Sequence, residues 1–340
     1  MAQKTIAEAI RDGLREELRR DPNVILMGED IGTTPGGWGG PFTVTLGLVE
    51  EFGPERVRNT PISEKGFVGA AVGAAMVGMI PVVEMQYADF IFCAMDEVVN
   101  QAAKNRYMSG GQIRVPMVIR LPSASSGRGA QHSQCPEAYF MHTPGLNVIM
   151  PSTAYDAKGL LKTAIRGEDP VVFIEHKRIY GSTGFRGVEG GANPVSDIPD
   201  EDYTVPFGLS KVKRVGSDVT ILSNQLMLYR SLDAAEVLAN EGISCEVIDA
   251  MSLVPFDMET LSKSIEKTSR LIIVEEDNLT GGWGAEVAAR VADECLFLLE
   301  APVKRVASYD VPMPASPVLE NFVIPTKERI MDAIREIMHA

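Results

Sequence analysis

The sequence predicts an α/β protein of two domains, each built on a largely parallel sheet. Three observations carry that expectation. Short apolar runs alternate with helical stretches along the chain. Residues 181–200 are rich in Gly, Pro, Ser and Asp and poor in large apolar side chains, as an exposed connection would be. Beyond them a second alternating series begins, and 340 residues suffice for two buried cores. The expected division is a first domain over 1–183, a linker over 184–203 and a second domain over 204–340.

In order, a helix over 5–20 leads to the strand Val24-Ile-Leu-Met27, which ends in Gly28-Glu29-Asp30. The Gly-rich loop Gly36-Gly-Trp-Gly-Gly40 precedes a helix near 44–52. Next comes Asn59-Thr-Pro-Ile-Ser-Glu64, where Ser63 is placed to cap a helix that Glu64 opens. That helix is nearly all Gly and Ala. Interior glycine costs about 1 kcal/mol relative to alanine, so Gly69, Gly73 and Gly78 call for a close neighbouring backbone or ligand. Strands over 81–86 and 116–121 flank a helix through 96–108; strands over 147–150 and 170–174 flank a helix opened by the capping box Thr153-Ala-Tyr-Asp156. The second series places strands at 219–222, 245–248, 271–274 and 303–306.

Composition narrows the function. A net charge of −14 with no basic cluster argues against nucleic acid as a partner. No apolar run approaches the ~20 residues of a membrane span. The first residues already read as helix, with no leader segment, so a cytoplasmic setting is expected, or a mitochondrial matrix if a transit peptide has been removed. Cys93, Cys135, Cys245 and Cys295 are far apart and form no metal-binding pair. The glycines match neither a dinucleotide fingerprint nor a phosphate-binding Gly-Lys-Ser/Thr loop.

Ligands of open α/β sheets gather at the carboxyl ends of strands. Glu29, then Gln86 with Tyr87, then the long loop Pro122–Gln134 with His132 occupy such ends. Taken alone, Glu64 reads first as an acid facing a helix dipole, Glu29 as a solvated strand end and Phe90 as a core aromatic. His132 has no core to fill in a polar loop, which favours function. His142 and His176 adjoin apolar runs and read as structural, and His339 lies at the chain end.

Many short motifs in fixed order go further. Gly28-Glu29-Asp30, Asn59–Glu64, Gly69-Ala-Ala-Val-Gly-Ala-Ala75, Asn100-Gln-Ala-Ala-Lys104, Arg106-Tyr-Met-Ser-Gly-Gly111, Ala130-Gln-His-Ser-Gln134, His142-Thr-Pro-Gly-Leu146, Tyr155-Asp-Ala-Lys-Gly-Leu160, Ala164-Ile-Arg166 with Asp169-Pro170, and Asp310-Val-Pro-Met-Pro314 occur in turn. The chain resembles the beta subunit of the thiamine-diphosphate-dependent, decarboxylating component of 2-oxo acid dehydrogenase complexes, over about residues 5–335. The resemblance implies a transketolase-like pyrimidine-binding domain with a parallel sheet, followed by a smaller α/β domain of the transketolase C-terminal type. It implies an alpha subunit on another chain, which holds magnesium and the cofactor's diphosphate, in a heterotetramer of two alpha and two beta subunits. It further implies a dihydrolipoyl acyltransferase core as the next partner and a small 2-oxo acid as substrate.

Carried over by motif, Glu64 is the acid that hydrogen-bonds the cofactor's aminopyrimidine nitrogen, and Phe90 the aromatic on which that ring stacks. Ile62 and Gln86 line the pyrimidine pocket, Glu29 belongs to its polar surround, and His132 faces substrate. A structural potassium ion is implied through backbone oxygens around Met117, Ala164, Ile165, Gly167 and Asp169, although Gly167 and Asp169 stand where the family pattern has Asp and Asn. The expected reaction is oxidative decarboxylation, with pyruvate ahead of acetoin and branched-chain 2-oxo acids, and acyl transfer to lipoyl-lysine. The rivals are another thiamine enzyme, transketolase-like or ferredoxin-linked, and a non-catalytic structural subunit. Residues 184–200 form a longer segment than the family pattern has.

Overall fold

A computed structural model describes residues 2–32, 39–181 and 194–339. Most of the Gly-rich loop 36–40 and of the extended segment 184–200 therefore lies outside the described residues.

The first half contains β1 (Ala2–Lys4), α1 (Ile6–Arg20), β2 (Val24–Gly28), α2 (Leu48–Phe52), β3 (Val57–Asn59), α3 (Glu64–Met76) and β4 (Ile80–Glu84). After a 3-10 stretch at Ala88–Ala94 and a π-helical one at Glu97–Ala102 come α4 (Asn105–Met108), β5 (Val118–Ser123), α5 (Glu137–Met141), β6 (Asn147–Ile149), α6 (Ala154–Arg166) and β7 (Val171–His176). The second half contains β8 (Ser196–Ile198), β9 (Lys211–Arg214), β10 (Val219–Ser223), α7 (Gln225–Ala239), β11 (Cys245–Asp249), β12 (Ser252–Val254) and α8 (Met258–Thr268). It ends with β13 (Leu271–Asn278), α9 (Trp283–Glu294), β14 (Lys304–Ser308), α10 (Pro317–Val323) and α11 (Lys327–Met338).

Two mixed sheets form the frame. One has seven strands in the order β12-β6-β7-β5-β4-β2-β3, the other five in the order β14-β13-β10-β11-β9. Every pairing in them is parallel except those of the edge strands β12 and β9. The strand sequences explain the burial. Val24 and Leu26 of β2 enter one apolar cluster, while Ile25 and Met27 enter a second on the opposite face; Val171 and Phe173 of β7 alternate likewise with Val172 and Ile174. Strands buried on both faces read as continuous apolar runs. Each cluster draws on both halves: Leu14, Phe173, Ile221 and Ile334 share one, and Val68, Ile119, Leu222 and Ile273 the other.

Several expectations are corrected. The chain start is not helical: Ala2–Lys4 pairs antiparallel with Ser196–Ile198, so part of the expected linker is a strand. The helix begins only after Thr5, whose hydroxyl accepts from the Glu8 backbone N–H while the Glu8 carboxylate accepts from the Thr5 backbone. Ser63 makes no side-chain cap to α3. The helix expected over 96–108 is broken into π-helical and short α segments, and the one near 44–52 is reduced to Leu48–Phe52. Thr153 caps α6 through Asp156, as its spacing predicts.

Candidate active site

Four parallel strand ends build the site. Where β2 meets β4, Gly28 is obligatory, because a Cβ there would lie 2.6 Å from the Glu84 carbonyl oxygen. Glu29 leaves this crowded turn with its side chain inward and only 4% exposed. Its Oε1 is buried without a hydrogen-bond partner. Burial raises its pKa to about 7, reinforced by the charges of Glu64 and Asp30. Glu64 is the first residue of α3 and half-buried, at the positive end of that helix. Gln86, just beyond β4, donates from Nε2 to Asp30 Oδ2 at 3.1 Å.

Tyr87 then gathers the aromatic side. Its ring meets His132 edge-on at 4.7 Å, Phe90 at 5.8 Å and Phe42 at 5.6 Å between centroids. Phe90 and His132 are themselves in edge contact at 5.4 Å. Phe90 is therefore not a core residue: it is half-buried beside a histidine at the sheet's rim. The structure thus brings Glu29 to Glu64, and Phe90 to His132, with Gln86-Tyr87 joining the two groups along the chain. Ile62, two residues before Glu64, is 83% exposed.

Beneath this rim lies a network absent from the sequence reading. Arg120 on β5 is fully buried and holds Glu175 of β7 with two nitrogens, Nε to Oε1 and Nη2 to Oε2, each 2.7 Å. Its third donor meets Glu84 of β4, and the Tyr180 hydroxyl donates to Glu175. Burial weighs against a guanidinium here, but the two carboxylates outweigh it and hold Arg120 charged. Gly40 belongs to the same corner: its φ is +76°, and a Cβ would lie 2.4 Å from Glu84 Oε1.

The potassium candidates cluster where α6 ends and β7 begins. The Met117 carbonyl accepts from Val171 N at 2.9 Å and the Ala164 carbonyl from Gly167 N at 3.3 Å. Asp169 turns its carboxylate to Arg106. A carbonyl oxygen keeps a second lone pair after one such bond, so these bonds leave coordination open. Among the described residues no group of three or more His, Cys, Asp or Glu side chains could hold a metal. All four cysteines are free thiols. His176 is buried against Glu276, whereas His142 is exposed and fills no core. No described helix is long and apolar enough to cross a membrane.

A largely parallel α/β sheet followed by a second α/β unit is the architecture of the transketolase class of fold, and comparisons with known proteins agree. Residues 2–183 match the family model "Transketolase, pyrimidine binding domain", and residues 208–330 match "Transketolase, C-terminal domain". The chain is 44% identical over 335 residues to the pyruvate dehydrogenase E1 component subunit beta-2, mitochondrial, of Oryza sativa subsp. japonica, covering 98% of this chain and 86% of that one. It is 42% identical over 339 residues to the 2-oxoisovalerate dehydrogenase subunit beta of Bacillus subtilis (strain 168), covering 99% of each. A solved split gene transketolase, described as an inactive beta4 tetramer, superposes with a TM-score of 0.77 at 25% identity over 98% of both chains. The chain belongs to the family of E1 beta subunits of 2-oxo acid dehydrogenases.

Proposed function

We propose that this chain is the beta subunit of a thiamine-diphosphate-dependent 2-oxo acid dehydrogenase E1 component, with pyruvate the favoured substrate, working in the cytoplasm with a separate alpha subunit. The observation that carries the reading is the buried, unpartnered Oε1 of Glu29 beside Glu64 at the strand ends of a pyrimidine-binding domain. An unsatisfied carboxyl oxygen in a dry corner is costly and fits a heterocycle with donors and acceptors of its own.

When bound, thiamine diphosphate supplies the electron sink for loss of carbon dioxide from a 2-oxo acid. Glu64 would hold the pyrimidine by hydrogen bond, Phe90 would offer its ring face, and Gln86 would close the pocket's rim. Burial and the Glu64 charge raise the Glu29 pKa to about 7, so its carboxyl can both donate and accept near neutral pH. His132, in edge contact with Tyr87 and Phe90, would face substrate. Magnesium is assigned to the alpha subunit, the acyl acceptor to lipoyl-lysine on an acyltransferase core, and a potassium ion to the carbonyls around α6. The exposed glycine face of α3, where Gly73 has no neighbour within 4 Å, is assigned to the partner chain.

Two measurements test this. Calorimetric titration of thiamine diphosphate is expected to give binding only with the alpha subunit present; an alpha–beta complex that binds none supports a purely structural subunit instead. In that complex Glu64→Gln is expected to abolish decarboxylation, and near-normal turnover would overturn the assignment. A substrate panel is expected to favour pyruvate; preference for branched-chain 2-oxo acids or acetoin would move the chain to that branch of the family.

A further inference from the structure

The loop that carries His132 is held at its start by the other half of the chain. Glu276 on β13 accepts from the Ser125 backbone N–H with Oε1 at 2.7 Å. Glu320 on α10 accepts from the next two N–H groups with one oxygen, Ser126 at 2.8 Å and Gly127 at 2.7 Å. Both carboxylates are buried, Glu320 to 1% exposure. Burial alone would push Glu276 up, but the His176 imidazole against Oε2 and the Ser125 donor hold it well below the ordinary carboxylate range. Further along the loop, a Cβ on Gly129 would sit 3.5 Å from the Ala315 Cβ, so the segment before α10 covers the loop too.

The loop's far end is tied within the first half. Asp89 accepts from Gln134 N at 3.2 Å and from its Nε2 at 2.9 Å, and the buried Lys177 donates to the His132 carbonyl. Between the two ties His132 packs edge-on against Tyr87 and Phe90. A displacement of about 1 Å at a reacting group can cost roughly a hundredfold in rate, so whatever fixes this loop also fixes the histidine. Charge-assisted bonds to consecutive N–H groups are among the stronger ways to fix a backbone.

We propose that Glu320, with Glu276, is a positioning residue: a carboxylate clamp by which the C-terminal half sets the loop so that His132 faces the pocket. This rests on His132 being the substrate-facing residue of the function proposed above. The clamp touches no reacting atom and acts through the loop alone.

The experiment uses the reconstituted alpha–beta complex with Glu320→Ala, which removes the acceptor, and Glu320→Gln, which keeps an amide oxygen at the same reach. Acyl transfer in Glu320→Ala is expected to fall in kcat by roughly thirtyfold or more, with KM and cofactor affinity within about twofold, while Glu320→Gln recovers most of the loss. Amide hydrogen exchange at Ser126 and Gly127 is expected to accelerate in Glu320→Ala and not in Glu320→Gln. Unchanged kcat in Glu320→Ala, equal loss in both variants, or loss of cofactor affinity in step with kcat overturns the proposal. Should Glu320→Ala not fold, Glu320→Asp keeps the charge and retracts it by one methylene; wild-type kcat there overturns the proposal as well. A wild-type complex that turns over no 2-oxo acid defeats the functional reading instead, and the exchange experiment still decides whether Glu320 holds the loop.

Discussion

Glu29 is an acid whose pKa rises on folding, from 4.5 to about 7, because burial and the Glu64 charge disfavour its ionised form. The folded chain therefore binds this proton more tightly than the unfolded one. That contribution to stability is complete below pH 4.5 and is lost as pH climbs to about 7. Glu29→Gln has no such dependence. Its melting temperature minus that of wild type is expected to rise between pH 4.5 and 7 and then level off; a difference that falls with rising pH contradicts the account. Glu29 also marks how far one residue can be read from sequence. Its position after an apolar run located it at a strand end, but nothing local indicated that it would be dry and unpartnered. His132 was legible because a polar loop offers no apolar reason for it. Tyr87, Lys177, Glu276 and Glu320 were not legible in their roles, since the groups they touch lie 45 to 194 residues away.

At the scale of elements, β4, β5 and β7 are locked together by Glu84, Arg120 and Glu175 as well as by backbone ladders. Arg120→Met leaves two buried carboxylates without their cation, expected to cost about 3–5 kcal/mol. Arg120→Lys is expected to rescue little, because a point charge cannot hold Glu175 with two nitrogens. Denaturant unfolding of both variants checks this. On the outer side, Thr5→Ala removes the reciprocal cap of α1 and is expected to cost about 1 kcal/mol by the same measurement. Central strands such as Val24–Gly28 and Leu271–Asn278 were evident as apolar runs because both their faces are covered. Val57-Arg-Asn59 and Lys211-Val-Lys-Arg214 are edge strands, short and largely polar, and carry no such signature. The 3-10 stretch before α4 was hidden because Ala88–Ala94 has apolar spacing that suits a helix equally well.

For the molecule as a whole, the division near residue 200 is less sharp than composition implies. β12 leaves the second half to pair with β6 at the edge of the first sheet, and the two apolar clusters run through both halves. Calorimetry of the chain is therefore expected to give one cooperative transition, and two resolved peaks would contradict it. Replacing potassium by sodium in the same experiment is expected to lower the melting temperature if the carbonyls around α6 hold the larger ion; identical curves remove that assignment.

The route of β12 also bears on how the chain is made. β6 is complete at Ile149, but its outer partner begins at Ser252, roughly a hundred residues and on the order of ten seconds of translation later. Through that interval the nascent first sheet presents a bare hydrogen-bonding edge, the kind of surface that recruits other nascent strands. A gene cut in the connecting segment would make that exposure permanent in its first product. Separate expression of the two pieces is a poor route to soluble material, whereas synthesis of the uninterrupted chain lets β12 close the edge.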